Sequence, residues 1–188
     1  GHAPLIYWLL APITFPGTAS VFVIARAAQL CLLACAVALI GFIAEKLQAR
    51  AGLLAVTLAL CTTPIIEYGI EIRPDGLLSV LILSAFASRF MPGRLGVLAQ
   101  GIFMGLAVIT HTAKSAPPLA AFGLLWLWDF TRERDQARLL LPLVGLSGPV
   151  VVCVGLLAAT SSLMLGYQQV IGDTILQIFR MIEPAQTL

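Results

Sequence analysis

The ionisable side chains of this sequence are few, and those able to do chemistry gather at a few places. Glu67 and Glu71 stand four residues apart, so on a helix they share one face. Arg73 and Asp75 follow in the turn Arg73-Pro74-Asp75-Gly76, and His111 and Lys114 stand where another apolar run ends. Arg26 lies inside an apolar run, about two turns from its start, and His2 precedes a proline-broken aromatic segment. Arg26, Arg73 and Lys114 offer fixed positive charge: a rigid fork from arginine, a mobile point charge from lysine. Both suit a phosphate or diphosphate. The carboxylates suit sugar hydroxyls, a metal ion, or proton abstraction from an acceptor. Beside a membrane, the combination fits a transferase that uses a lipid-linked sugar.

Each residue also has a plainer reading. Glu67 and Glu71 read equally as solvated residues at a helix end. Arg73 with Asp75 reads as an ion pair within a turn, worth about 0–1 kcal/mol if exposed. Lys114 reads as a snorkelling lysine, and His111 as a satisfied interfacial histidine. Arg26 resists such a reading, because a charge within an apolar run needs a partner or a water-filled cleft.

The elements that must position these residues follow from composition. The chain has 188 residues, 60% of them hydrophobic and only 11% charged, with a mean hydropathy of +0.99. Soluble domains carry about 25% charged residues, so a water-soluble enzyme is excluded, as is a disordered chain. Long unbroken apolar runs such as Leu30–Ala44 argue for helices rather than the alternating strands of a membrane barrel. The expected fold class is therefore all-α, a polytopic membrane helix bundle. A net charge of +2 and a pI near 8.5 give no reason to expect nucleic acid as a partner. Cys31, Cys35, Cys61 and Cys153 lie in apolar runs without a CxxC pair, and read as small buried hydrophobes.

Residues 1–17, with Pro4, Pro12, Pro16, Tyr7 and Trp8, read as an interfacial segment. Six spans are expected between residues 19 and 160. They run at about Ala19–Ala44, Ala51–Ile70, Leu77–Phe90, Leu95–Thr110, a stretch ending near Trp128, and Leu139–Thr160. His111–Lys114 and Pro117-Pro118 are expected to break the chain, and Asp129–Arg138 to form a charged loop. Gly101-x-x-x-Gly105 suits close helix packing, while Trp126 and Trp128 read as interface anchors. Residues 161–188 carry Ile171, Ile175, Ile178, Phe179 and Ile182 near helical spacing, as in an amphipathic helix on the outer face. Lys46, Arg50, Arg89, Arg94, Arg132, Arg134 and Arg138 fall in one set of loops, which should be cytoplasmic. The chain starts at Gly1 without methionine and stops after an amphipathic stretch, so both ends read as cuts through a longer protein.

Three stretches carry a family resemblance. Gly1-His2-Ala3-Pro4-Leu5-Ile6-Tyr7-Trp8 resembles an (H/K)-P-P-L-x-Y-W segment, Ile72-Arg73-Pro74-Asp75-Gly76-Leu77-Leu78 an R-P-D-A-L-L turn, and Gly105-Leu106-Ala107-Val108-Ile109-Thr110-His111 a G-L-A-x-L-T-K/H helix end. In this order they are similar to the membrane core of the C-type glycosyltransferase superfamily. The members concerned are the protein O-mannosyltransferase and lipid A aminoarabinose transferase-like families. Ala3 departs from the proline pair, and His111 stands where many members have lysine, with Lys114 one turn later.

The resemblance implies a sugar donor carried on a polyprenyl phosphate and an inverting transfer to a lipid, glycan or protein hydroxyl. The reaction would take place at the outer face of a bacterial inner membrane. Joined to the charge reading, it puts Arg73, Lys114, His111 and Arg26 at the donor phosphate. Glu67, Glu71, Asp75 and His2 go to the sugar or acceptor side. It also implies that the principal catalytic acid lies upstream of Gly1, so none of these carboxylates takes that role and this stretch alone is expected to be inactive. No cofactor is firmly implied, no metal-ligand set is assigned, and a divalent metal is left open. The rival readings are a transporter or lipid flippase, suggested by Arg26 and the proline-broken runs, and a non-catalytic membrane subunit.

Overall fold

The computed structural model describes residues 18–62 and 74–159, all helix and short turns. The described helices are α1 (Thr18–Leu47), α2 (Ala51–Cys61), α3 (Pro74–Ser88), α4 (Gly93–Thr110), α5 (Thr112–Glu133) and α6 (Ala137–Ala159). The expected interfacial segment and amphipathic tail lie outside the described residues.

Local chemistry sets the helix ends. Arg50 takes a left-handed conformation (φ 69°) between α1 and α2. The Glu45 carboxylate accepts from the Arg50 and Gly52 backbone N–H groups at 3.0 Å each, so the end of α1 caps the start of α2. The α2 helix stops at Cys61, with Thr62 extended, short of the expected Ile70. The rest of that expected span, residues 63–70, lies outside the described residues. Pro74 opens α3, where its missing N–H costs nothing. Gly93 takes φ 73° in the tight turn before α4.

The α5 helix corrects an expectation. Pro117 and Pro118 do not break it; both lie inside one helix of 22 residues. They are the sixth and seventh residues of the helix, past the first turn, so the Ala113 and Lys114 carbonyls lose their i+4 donors while the helix runs on into the core through Phe122 and Trp126. The expected charged loop shrinks to residues 134–136, because helix continues through Glu133 to a left-handed Arg134 (φ 52°).

Packing fixes the topology. Gly41 faces Val56 and Gly52 in the antiparallel pair of α1 and α2. Gln29 lies against Gly76, and the Phe42 and Phe90 rings meet at 6.2 Å, so α1 and α3 run parallel. Phe86 on α3 packs against Phe122 on α5 at 4.7 Å, with ion pairs at both ends of these two helices, so they too are parallel. Gly101 and Gly105 of α4 meet the Pro142 and Leu146 carbonyls of α6 in the closest helix approach, also parallel. Ala85, Met104, Phe122 and Trp126 form the core between α3, α4 and α5. Trp126, expected at an interface, is buried and donates its Nε1–H to Gln100 Oε1 at 3.1 Å, whereas Trp128 is exposed.

Segments Val23–Leu47, Gly93–Thr110 and Ala137–Leu156 are long and apolar enough to cross a membrane; α2 and α3 are apolar but shorter. Leu53, Leu54, Leu58, Val144, Val151 and Val152 point outward. Such helices with such a surface mark a membrane-embedded protein. Cys31, Cys35 and Cys61 are exposed rather than buried, and only Cys153 is interior. In hydrocarbon the outer face is as apolar as the core, so an apolar run does not distinguish the two.

Candidate functional site at one end of the bundle

With α1, α3 and α5 parallel and α2, α4 and α6 opposed to them, the helix ends sort into two sets. One end carries Lys46, Arg50, Arg89, Arg94, Arg132, Arg134 and Arg138, the full set expected to share a side. There Arg89 bonds Asp129 at 2.9 Å and Arg138 bonds Glu133 at 3.1 Å. The other end carries the N-termini of α1, α3 and α5 and the C-terminus of α4. Among the described residues this is where Arg26, Asp75, His111 and Lys114 lie.

Two of the expected site residues meet directly. Lys114 Nζ donates to Asp75 Oδ1 at 2.7 Å and to Oδ2 at 2.8 Å, linking the first turns of α3 and α5. The Lys114 side chain is 53% exposed and that of Asp75 28%, so solvent reaches the pair. An exposed pair of this kind contributes about 0–1 kcal/mol to stability; its importance lies in placing charge. Asp75 also sits in the first turn of α3, where the helix dipole favours a carboxylate. The plainer sequence reading let Lys114 snorkel; instead it is held by Asp75, while the Arg73 that reading paired with Asp75 lies outside the described residues.

His111 forms the junction of α4 and α5 in an extended conformation and is the N-cap of α5. Its Nδ1 accepts from the Lys114 backbone N–H at 3.4 Å, a long contact that places the imidazole beside the lysine. Thr112 Oγ1 donates back to the Val108 carbonyl at 3.2 Å, and Ser115 Oγ to the Thr112 carbonyl at 2.9 Å, which ties down the same junction.

One residue here escaped sequence reasoning. Gln29, one turn after Arg26 on α1, is only 3% exposed. Its side-chain amide packs so closely on Gly76 that a Cβ at residue 76 would fall on it, and its Nε2 has no hydrogen-bond partner. The glycine of Arg73-Pro74-Asp75-Gly76 is thus needed for close approach of α1 and α3. The available signal was an amide three residues from Arg26 in an otherwise apolar run. This packing sets Arg26 at the same end as Asp75.

His2, Glu67, Glu71 and Arg73 lie outside the described residues. No three His, Cys, Asp or Glu side chains among the described residues gather closely enough to hold a metal ion. Comparison with protein-family models, curated proteins and solved structures finds no match to this chain.

Proposed function

We propose that this chain is part of a polytopic membrane glycosyltransferase of the protein O-mannosyltransferase and aminoarabinose transferase-like kind. It would move a sugar from a polyprenyl-phosphate donor to an acceptor hydroxyl at the outer membrane face. One observation carries the reading. Asp75 of the Arg-Pro-Asp turn and Lys114, one turn past the Gly-Leu-Ala-x-x-Thr-His helix end, come within 2.7 Å although 39 residues separate them. The two internal stretches that resemble the family therefore converge at one end of the bundle. That end is opposite the one rich in Lys and Arg, which the positive-inside rule assigns to the cytoplasm.

In this reading Lys114 keeps a third N–H donor after serving both Asp75 oxygens, and Arg26 and His111 add to it at the same end. Arg73, next but one to Asp75 in sequence, supplies a bidentate fork to the donor phosphate. The polyprenyl tail stays in the bilayer. The displacement breaks the bond from the anomeric carbon to the phosphate oxygen while the acceptor oxygen bonds that carbon. The acceptor proton passes to a carboxylate acting as general base, and the polyprenyl phosphate leaves with the electron pair of the broken bond.

The test is binding of decaprenyl monophosphate to the chain in phosphatidylcholine nanodiscs. A charge-assisted contact is worth about 1.5–3 kcal/mol, so Lys114→Ala and Arg73→Ala should each weaken binding about tenfold or more. Unchanged binding in both would refute the phosphate assignment. A transporter or flippase is favoured by one observation, the prolines inside α5 and α6 (Pro117, Pro118, Pro142, Pro149). Against it, the charged residues described lie toward the helix ends rather than at mid-bilayer. Headgroup translocation by the reconstituted chain in liposomes would decide for it.

A further inference from the structure

The Asp75–Lys114 pair bears on which phosphate the site holds, an inference that rests on the phosphate-binding reading above. Both Asp75 oxygens are bound to the one ammonium, at 2.7 and 2.8 Å, so the charge of Lys114 is already neutralised. Asp75 is also fixed in place. The next residue, Gly76, is wedged beneath buried Gln29, which pins the first turn of α3 to α1.

We propose that Asp75 is the charge-setting residue of this site: by neutralising Lys114 it keeps the site from holding a dianionic phosphomonoester much more tightly than a monoanionic phosphodiester. Coulomb attraction to Lys114 and repulsion from Asp75 both scale with ligand charge. With the pair intact these two terms largely cancel, so Lys114 gives a second negative charge little added affinity, and the other cations of the site act alike in every variant. With Asp75 neutralised, the lone ammonium favours the dianion over the monoanion. In the proposed reaction the donor is the diester, with one negative charge. The leaving polyprenyl phosphate is the monoester, with about −1.5 to −2 charge at pH 7. Asp75 therefore acts through Lys114 on product release.

The readout is a ratio of affinities, which a purely structural role would not move. The full chain in phosphatidylcholine nanodiscs is titrated with decaprenyl monophosphate and with its methyl diester at constant ionic strength. The ratio of the two affinities in the unsubstituted chain is the reference. Asp75→Asn should shift the ratio toward the monoester on the order of tenfold, and Asp75→Glu, which keeps the charge, should restore it. If both probes bind and Asp75→Asn leaves the ratio unchanged, the charge-setting role is overturned while the phosphate site stands. If neither probe binds any variant, the phosphate reading fails and this inference with it. Inorganic phosphate is the tailless arm. Weak displacement of the probes supports a lipid ligand, and displacement as effective as by the lipids overturns the diester-to-monoester assignment.

Discussion

Replacing Gly101 with alanine would set a methyl group on the Pro142 carbonyl oxygen, where α4 and α6 touch. The same substitution at Gly105 brings a Cβ to 2.5 Å from the Leu146 oxygen, and at Gly145 to 2.5 Å from the Leu98 oxygen. Ordinary Cβ contacts lie at 3.4–4 Å, so the two backbones would have to part by about 1 Å. Backbone atoms cannot rotate away as a side-chain tip can. Overpacking of this kind costs about 1–3 kcal/mol. Gly148 of α6 is the control, since a Cβ there meets nothing within 4 Å. Each exchange gains roughly the same helix propensity, up to about 1 kcal/mol, so that gain cancels in the comparison. Gly101→Ala should therefore be about 1–3 kcal/mol less stable than Gly148→Ala. Loss of helical circular dichroism in mixed micelles of dodecyl maltoside with increasing SDS would measure the difference. The double variant Gly101→Ala with Gly145→Ala should cost less than the sum, because one separation relieves both contacts. Equal stability of Gly101→Ala and Gly148→Ala would refute the close-packed seam.

Trp126→Phe should destabilise by about 1–3 kcal/mol in the same titration, because it strips the buried Gln100 Oε1 of its donor. The double variant Trp126→Phe with Gln100→Leu should recover part of that loss. Asp75→Asn should change stability by less than about 1 kcal/mol, since its pair with Lys114 is solvent-accessible. In a background stripped of the native cysteines, Arg134→Cys and Lys114→Cys in oriented vesicles should react with an impermeant thiol reagent from opposite sides. Reaction of both from one side would overturn the two-ended distribution of charge.

The parts of the fold legible in the sequence were those that depend on composition along one element. Apolar runs located the helices, and the alternation of basic loops anticipated the end shared by Lys46, Arg50, Arg89, Arg94, Arg132, Arg134 and Arg138. Gly101 and Gly105 announced a close helix packing, though not its partner α6, because small residues four apart leave room for another backbone. The misread parts depend on partners elsewhere in the chain. Pro117 and Pro118 looked like breakers because each removes an N–H from the helix ladder, yet α5 runs through both, with Phe122 and Trp126 beyond them in the core. Trp126 looked like an anchor because Gln100, its acceptor, lies on another helix. At the candidate site, Asp75, His111 and Lys114 were singled out by charge and spacing, but the bond from Lys114 to Asp75 was not. Nor was the packing of Gln29 on Gly76. Both arise from how α1, α3 and α5 lie side by side.

The central claim is that the end of the bundle holding Asp75 and Lys114 binds a polyprenyl phosphate. The most direct measurement is photo-cross-linking in nanodiscs, using a polyprenyl phosphate with a photoreactive group on the isoprene next to the phosphate, followed by peptide mapping. The expected result is labelling concentrated around residues 26–29, 74–78 and 111–115, abolished by excess unlabelled polyprenyl phosphate. Labelling spread along the outward faces of α1, α2 and α6, or concentrated at the end with Arg89 and Arg134, and unaffected by competitor, would contradict it.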